Sequence, residues 1–213
     1  MKFLVISDLH QKVSALKWIN DVISEEKPDH VLFLGDITEF GTGEEAADII
    51  RSINGDVYAI PGNCDPLDLP DKISAAAKSV HGKADNIGGC DFAFLGGSNI
   101  TIFDTPFELS EDDIYNALKP ISKAGMVLVT HAPSFGTLDH IPNGASVGSP
   151  AIKRIIDEFK PMAALSGHIH EDRGAVRKDG VLYLNPGPAK DGYCAIFSIE
   201  GGFADARLLG PHG

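Results

Sequence analysis

Ala164-Leu165-Ser166-Gly167-His168-Ile169-His170 is the stretch on which the reading of this chain turns. An apolar run enters Gly-His-Ile-His, and the two imidazoles stand at i and i+2. In an extended segment that spacing puts both side chains on the same side of the chain. Each can then meet a different one of two adjacent cations, or the pair can share one. The glycine lets the backbone turn sharply as the strand ends. Taken alone, the stretch also fits a strand exit that carries two surface histidines. The choice between these readings comes from upstream, where a buried strand ending in a metal-type ligand recurs.

Phe3 to Ser7 reads as a short apolar strand with Asp8-Leu9-His10 at its exit. Val13, Leu16, Ile19, Val22 and Ile23 share a helical face, and Lys27-Pro28-Asp29 stops that helix. Val31 to Leu34 is a second buried strand ending at Gly35-Asp36, followed by a helix from Glu44 to Ile53. Val57 to Ile60 is a third, running into Pro61-Gly62-Asn63-Cys64-Asp65. This β-α-β-α-β order predicts a parallel sheet with crossover helices.

Val80–Asn86 and Cys90–Leu95 flank Gly88-Gly89 as a hairpin, and 96–108 carries no clear period. Ser110 is an N-cap whose following Glu111, Asp112 and Asp113 suit a helix start. Met126 to Val129 is another apolar strand, leaving at Thr130-His131. The Gly-, Pro- and Ser-rich segment 132–148 is long for a compact domain and reads as a substrate wall or lid, or as a subunit contact. Ser149-Pro150 opens a helix with Ile152, Ile155, Ile156 and Phe159 inward, and short strands around Ala175, 181–184, 193–199 and 203–209 complete the chain.

The chain of 213 residues shows no repeat, linker or low-complexity tract, so a single domain over 1–213 is expected. Its 18 Lys and Arg against 30 Asp and Glu leave a net charge of -12, with no basic run. That balance argues against broad binding to duplex nucleic acid or an anionic membrane. Cys64, Cys90 and Cys194 form no metal-binding or disulfide spacing, which points to a reducing compartment. The four apolar residues after Met1-Lys2 are too few for a signal-peptide core, so a cytoplasmic protein is expected.

Five strand exits therefore carry Asp8 and His10, Asp36, Asn63, His131, and His168 and His170. Ligands of open α/β sheets sit outside the carboxyl ends of the strands, so these side chains converge if the strands share a sheet. Individually, Asp36 could serve a turn, Asn63 an Asx-turn and His131 a buried hydrogen bond. Their coincidence at strand ends favours a common site. Oxygen and nitrogen donors without thiolates suit Mn, Fe, Zn or Ni better than Ca or a soft metal.

Asp8-x-His10, Gly35-Asp36, Gly62-Asn63-x-Asp65, His131 and Gly167-His168-x-His170 together resemble the ordered blocks of the calcineurin-like metallophosphoesterases. The resemblance spans most of the chain. It implies an α/β fold of four layers, α/β/β/α, in which two mixed sheets are flanked by helices. It further implies two divalent transition-metal ions, manganese first and Fe, Zn or Ni after it. Asp8, His10 and His170 would hold one, Asn63, His131 and His168 the other, and Asp36 would bridge them. Asn63 and His131 would also act in catalysis, and a metal-bridging hydroxide would hydrolyse a small phosphorylated substrate. The implied site is about +1 by formal charge, which suits a phosphodiester.

One position departs from the family pattern. Where most members have His after Gly-Asn, this chain has Cys64, a weak acid and a poor proton donor to an alkoxide. Cys64 is read as a half-buried filler, with Glu39 in the place of the acidic partner and Asp65 as a further candidate beside the substrate. The Gly-Asn-Cys-Asp variant resembles a small prokaryotic subgroup described as phosphodiesterases. Two other functions compete: a non-catalytic scaffold for protein assembly, which resembles this fold but carries a degraded metal site, and a nuclease, which needs a basic track. A homo-oligomer is compatible with all three.

Overall fold

The computed structural model describes residues 1–212. The chain opens with β1 (Lys2–Ile6), α1 (Ala15–Glu26), β2 (His30–Phe33), α2 (Gly43–Arg51), β3 (Val57–Ala59), α3 (Leu69–Lys72) and β4 (Lys78–Ser79). Next come β5 (Lys83–Ile87), β6 (Cys90–Leu95), β7 (Ser98–Asn99), β8 (Glu108–Leu109), α4 (Glu111–Leu118), β9 (Val127–Thr130) and α5 (Pro150–Phe159). It closes with β10 (Ala163–Leu165), β11 (Gly174–Lys178), β12 (Val181–Asn185), β13 (Cys194–Glu200) and β14 (Phe203–Leu209).

These strands form two six-stranded mixed sheets, in the orders β14-β13-β1-β2-β3-β4 and β11-β12-β10-β9-β6-β5. The parallel runs β1-β2-β3-β4 and β6-β9-β10-β12 are extended by antiparallel strands, β13 and β14 in the first sheet and β5 and β11 in the second. Alternation along β1 shows why there are four layers. Leu4 and Ile6 pack with Leu16, Ile19 and Val22 of α1, whereas Phe3 and Val5 meet Phe92, Phe94, Val127 and Val129 of the other sheet. Ala93, Leu95 and Leu128 turn outward onto Ile114 of α4 and Ile152 and Ile155 of α5. Both faces of each central strand are therefore apolar, and each fully buried Leu, Ile or Phe contributes roughly 1.5–3 kcal/mol.

The helix starts follow their caps. Thr42 and Glu45 form a reciprocal capping box on α2, and Ser110 and Ser149 cap α4 and α5, with Pro150 at the first position of α5. Gly88 and Gly89 turn the β5-β6 hairpin at φ 56° and 87°. Two expectations change. The first helix starts at Ala15 and leaves Val13 60% exposed, because residues 8–11 are tied backbone to backbone to the exit of β2. The ligand-bearing strands also do not share one sheet: β1, β2 and β3 lie in the first, β9 and β10 in the second. Pairing is non-local, so strand order could not be read from local pattern, but all five exits open at the same edge of the sandwich.

Candidate metal centre

The loops after β1 and β2 are fastened together by Asp8 N–H to Gly35 O, His10 N–H to Asp36 O and Gln11 N–H to Ile37 O, each 3.0 Å. Asp8, His10, Asp36 and His168 all adopt left-handed backbone, at φ 57°, 47°, 51° and 67°. Such conformations cost about 1–3 kcal/mol each for residues other than glycine and persist where surrounding contacts impose them. Two glycines make room. A Cβ on Gly62 would stand 2.1 Å from Asp36 Oδ1, and one on Gly167 would stand 1.9 Å from Ser7 Oγ.

The side chains converge in two sets that share Asp36. Asp8 Oδ1 lies 3.3 Å from His170 Nε2 and 4.0 Å from His10 Nε2. Asp36 Oδ2 lies 3.6 Å from His10 Nε2 and 3.6 Å from His131 Nε2. Asn63 Oδ1 is 3.0 Å from His131 Nε2, and the His168 ring packs edge-on to that of His131. The i, i+2 histidines do serve different sets, but not as neighbours on an extended strand: His168 is left-handed and His170 begins a short 3-10 turn.

Hydrogen bonding fixes what these atoms offer. His131 Nδ1 is 2.8 Å from Leu34 O, so it carries the ring hydrogen and leaves Nε2 with its lone pair outward. Asn63 Nδ2 donates to Thr105 Oγ1 at 3.0 Å, and Thr105 Oγ1 donates to Glu108 Oε1 at 2.7 Å. That chain turns the amide oxygen of Asn63 toward His131. Nε2, Asn63 Oδ1 and Asp36 Oδ2 are thus three electron-pair donors facing one another. An imidazolium at His131 would satisfy that pair but not Asp8 Oδ1 and His10 Nε2, which are buried without a hydrogen-bond partner. Orphaned donors of lone pairs in a buried cluster fit divalent cations.

The electrostatics agree. Burial lowers His10 to about 4 and His168 to about 3, so both imidazoles stay neutral as metal ligands require. Burial raises Asp36 to about 7, and the negative charges of Asp8 and Asp65 reinforce it. Burial would also raise Asp8, but its contact with His170 holds it below the ordinary carboxylate range. A bound cation would relieve the carboxylate repulsion at Asp36.

The other expected residues fall differently. Cys64 is half-buried, its N–H donating to Asp36 Oδ1 at 2.8 Å, and its Sγ belongs to a cluster with His10 and Asp36. Burial and the charge of Asp36 push its thiol up, which makes it a still weaker acid. Glu39 is exposed, its N–H donating to Gln11 Oε1 at 3.4 Å, and its neighbour Phe40 donates through its N–H to Cys64 O at 3.1 Å. Asp65 does not face substrate. It is buried and accepts from Ile37 N, Thr38 N, Thr38 Oγ1 and Gly62 N, tying the loop after β2 to the one after β3. Thr105 and Glu108 escaped the sequence reading. Their one signal was the Thr-x-x-Glu spacing, the same device that caps α2.

The segment 132–148 is a folded excursion. Asp139 is fully buried and accepts from Gly136 N and Gly148 N, and Asp172 Oδ2 accepts from His140 N. Gly136 and Thr137 meet Lys178 of β11, while Ile141 and Val147 line a groove that reaches His168.

The calcineurin-like phosphoesterase family model matches residues 1–172, which include every ligand described above. This chain belongs to that family. The calcineurin-like phosphoesterase described here is 33% identical over 198 residues to the uncharacterized protein MJ1162 of Methanocaldococcus jannaschii, covering 88% of each chain. Its fold is similar to a novel archaeal phosphodiesterase (TM-score 0.60, 16% identity, 98% of this chain and 100% of that one). It is also similar to a dimetal phosphatase of Danio rerio (TM-score 0.65, 13% identity, 94% and 93%). Family membership and the clustered ligands support metal-dependent phosphoester hydrolysis. No helix among the described residues is long and apolar enough to cross a membrane.

Proposed function

We propose that this calcineurin-like phosphoesterase hydrolyses phosphodiesters with two divalent cations, manganese first and iron, zinc or nickel after it. The observation that carries this reading is the pair of facing lone-pair sets that share Asp36 Oδ2. Asp8, His10 and His170 would hold one cation, Asn63, His131 and His168 the other, and Asp36 both. When bound, such a pair lowers the pKa of a shared water and clamps the oxygens of an in-line displacement.

The remaining work belongs to the chain. Leu34 O fixes the tautomer of His131, and Thr105 fixes the amide of Asn63. Only one Nδ2 hydrogen of Asn63 is committed in this way. The other faces Cys64 Sγ at 3.6 Å, a weak acceptor that a phosphate oxygen would displace. The oxygen of water forms the new P–O bond, the ester P–O bond breaks, and the departing oxygen takes its proton from water. Cys64 donates none, so acidic leaving groups are favoured. No lysine or arginine among the described residues donates a hydrogen bond to the ligand side chains, and Lys190 reaches His10 and His170 only through its charge; such sparse positive charge favours a singly charged diester over a monoester dianion. The Gly-Asn-Cys-Asp pattern adds to that preference through its resemblance to the phosphodiesterase subgroup. A scaffold would tolerate a degraded site, whereas here each expected ligand joins the cluster.

The test is protein stripped by chelation, resupplied with single metals and assayed on a panel of phosphomonoesters and phosphodiesters. Metal-dependent turnover of diesters ahead of monoesters is expected. Metal binding without turnover of any ester contradicts the reading.

A further inference from the structure

The segment between β6 and β8 carries large apolar side chains to the surface: Ile100, Ile102 and Phe103 are 68%, 93% and 76% exposed. The segment is fastened at both ends. Ser98 N–H donates to Phe107 O, Phe107 N–H donates to Asn63 O, and Glu108 accepts from Thr101 N and Thr105 N. Across from it stand Ile141 and Val147 of the 132–148 excursion, joined to it by Asn99 Nδ2 donating to Val147 O at 3.2 Å. With Ile169 these residues wall a groove of about 610 Å³, in which His168 is the one ionisable side chain.

The groove thus begins at the candidate metal centre and runs outward between apolar walls. Contiguous exposed apolar surface of this kind marks a binding site. No lysine or arginine lines it, and the chain carries a net charge of -12, so a sugar-phosphate chain or a second phosphate finds no counter-charge there. Its continuity with His168 lets a group in the groove be joined to the one held at the metals.

We infer that the groove takes the alkyl or acyl portion of the substrate, which makes the substrate class phosphodiesters of lipid-like alcohols. The inference rests on the phosphodiesterase reading of the metal centre. Ile102 and Phe103 form the outer wall, Ile141 and Val147 the inner one. Specificity comes from apolar contact along the groove, and phosphate chemistry from the ligands at its head.

The test uses p-nitrophenyl alkyl phosphates with methyl, butyl and octyl chains, below their micelle concentrations, and full-length protein loaded with Mn²⁺. The leaving group is common to the series, so chain length reports the groove alone. The specificity constant is expected to rise about two- to fourfold per added methylene until the groove is filled. In the double variant Ile102→Ser/Phe103→Ser, whose side chains are exposed and not part of the core, that slope collapses. Turnover of the whole series with a flat slope overturns the inference and leaves the phosphodiesterase reading standing. No turnover of any member by metal-loaded protein overturns that reading and the inference with it. A flat slope together with a dimer that the double variant splits assigns the groove to a second copy of the chain, and equally overturns it.

Discussion

Replacing Thr105 by valine removes one hydroxyl and keeps the shape of the side chain. That hydroxyl donates to Glu108 Oε1 at 2.7 Å and accepts from Asn63 Nδ2 at 3.0 Å. A hydrogen bond to a charged group is worth about 1.5–3 kcal/mol and a neutral one about 0.5–1.5 kcal/mol. Glu108 keeps its donors at Thr101 N, Thr101 Oγ1 and Thr105 N, so the folding cost lies near the low end, about 2 kcal/mol. The larger effect falls on metal. Without Thr105 only the weak acceptor Cys64 Sγ still marks the nitrogen of the buried Asn63 amide, and its oxygen is held toward His131 less firmly. Loss of such an orienting partner typically lowers metal affinity about 10–100-fold. Chelator competition with Mn²⁺ should show that loss at one of two sites, with the Asp8, His10, His170 site little changed. Thr105→Ser, which restores the hydroxyl, should recover most of it. A folded Thr105→Val protein that binds both ions as tightly as wild type refutes the reasoning.

Asp36→Asn should lower metal content more than a change at His10 or His168, because Asp36 Oδ2 faces both sets at 3.6 Å; elemental analysis finding two ions and retained activity removes the bridge. Cys64→Ala should leave turnover of aryl diesters nearly unchanged, and a large loss with metal content intact makes the thiol catalytic. Cys64→His should speed alkyl diesters by less than the 10²–10⁴-fold of full acid catalysis, since Glu39 is exposed and no contact holds its carboxylate in place as a partner; a rate unchanged from wild type removes the leaving-group argument. Burial works against ionisation of Glu108, but hydrogen bonds from Thr101 and Thr105 hold it at about 2 against an ordinary 4.5, so its contribution is whole above pH 4.5 and lost as pH falls through 2. Glu108→Gln should therefore cost about 1–2 kcal/mol in urea unfolding at pH 7, the full linkage value being discounted for partial exposure, and less as pH falls through that window; a gap that is constant with pH contradicts it.

The candidate ligands were legible because each follows the end of a buried strand by no more than five residues, and two of them stand against a glycine their geometry demands, Asp36 against Gly62 and Asp8 against Gly167. The strands were legible through their apolar runs. Their division between two sheets was not, because β1 and β9 alternate in the same way and only non-local pairing separates them. Glu39 lies close to Asp36 in sequence, yet the left-handed turn at Asp36 and the anchoring of Thr38 by Asp65 leave its side chain in solvent. Thr105 and Glu108 lie in a stretch without period, where spacing alone does not show which side chain a hydroxyl will meet. In the 132–148 excursion, composition does not show which residues face the site: Gly136 and Thr137 rest on β11, and Ile141 and Val147 form the groove wall.

The proposed activity requires two cations acting together on a phosphodiester. The direct measurement is turnover of bis(p-nitrophenyl) phosphate as Mn²⁺ is added stepwise to metal-free protein. Turnover that rises with the second equivalent per chain and is flat beyond it is the predicted result. Full turnover at the first equivalent, or none at saturation, contradicts it.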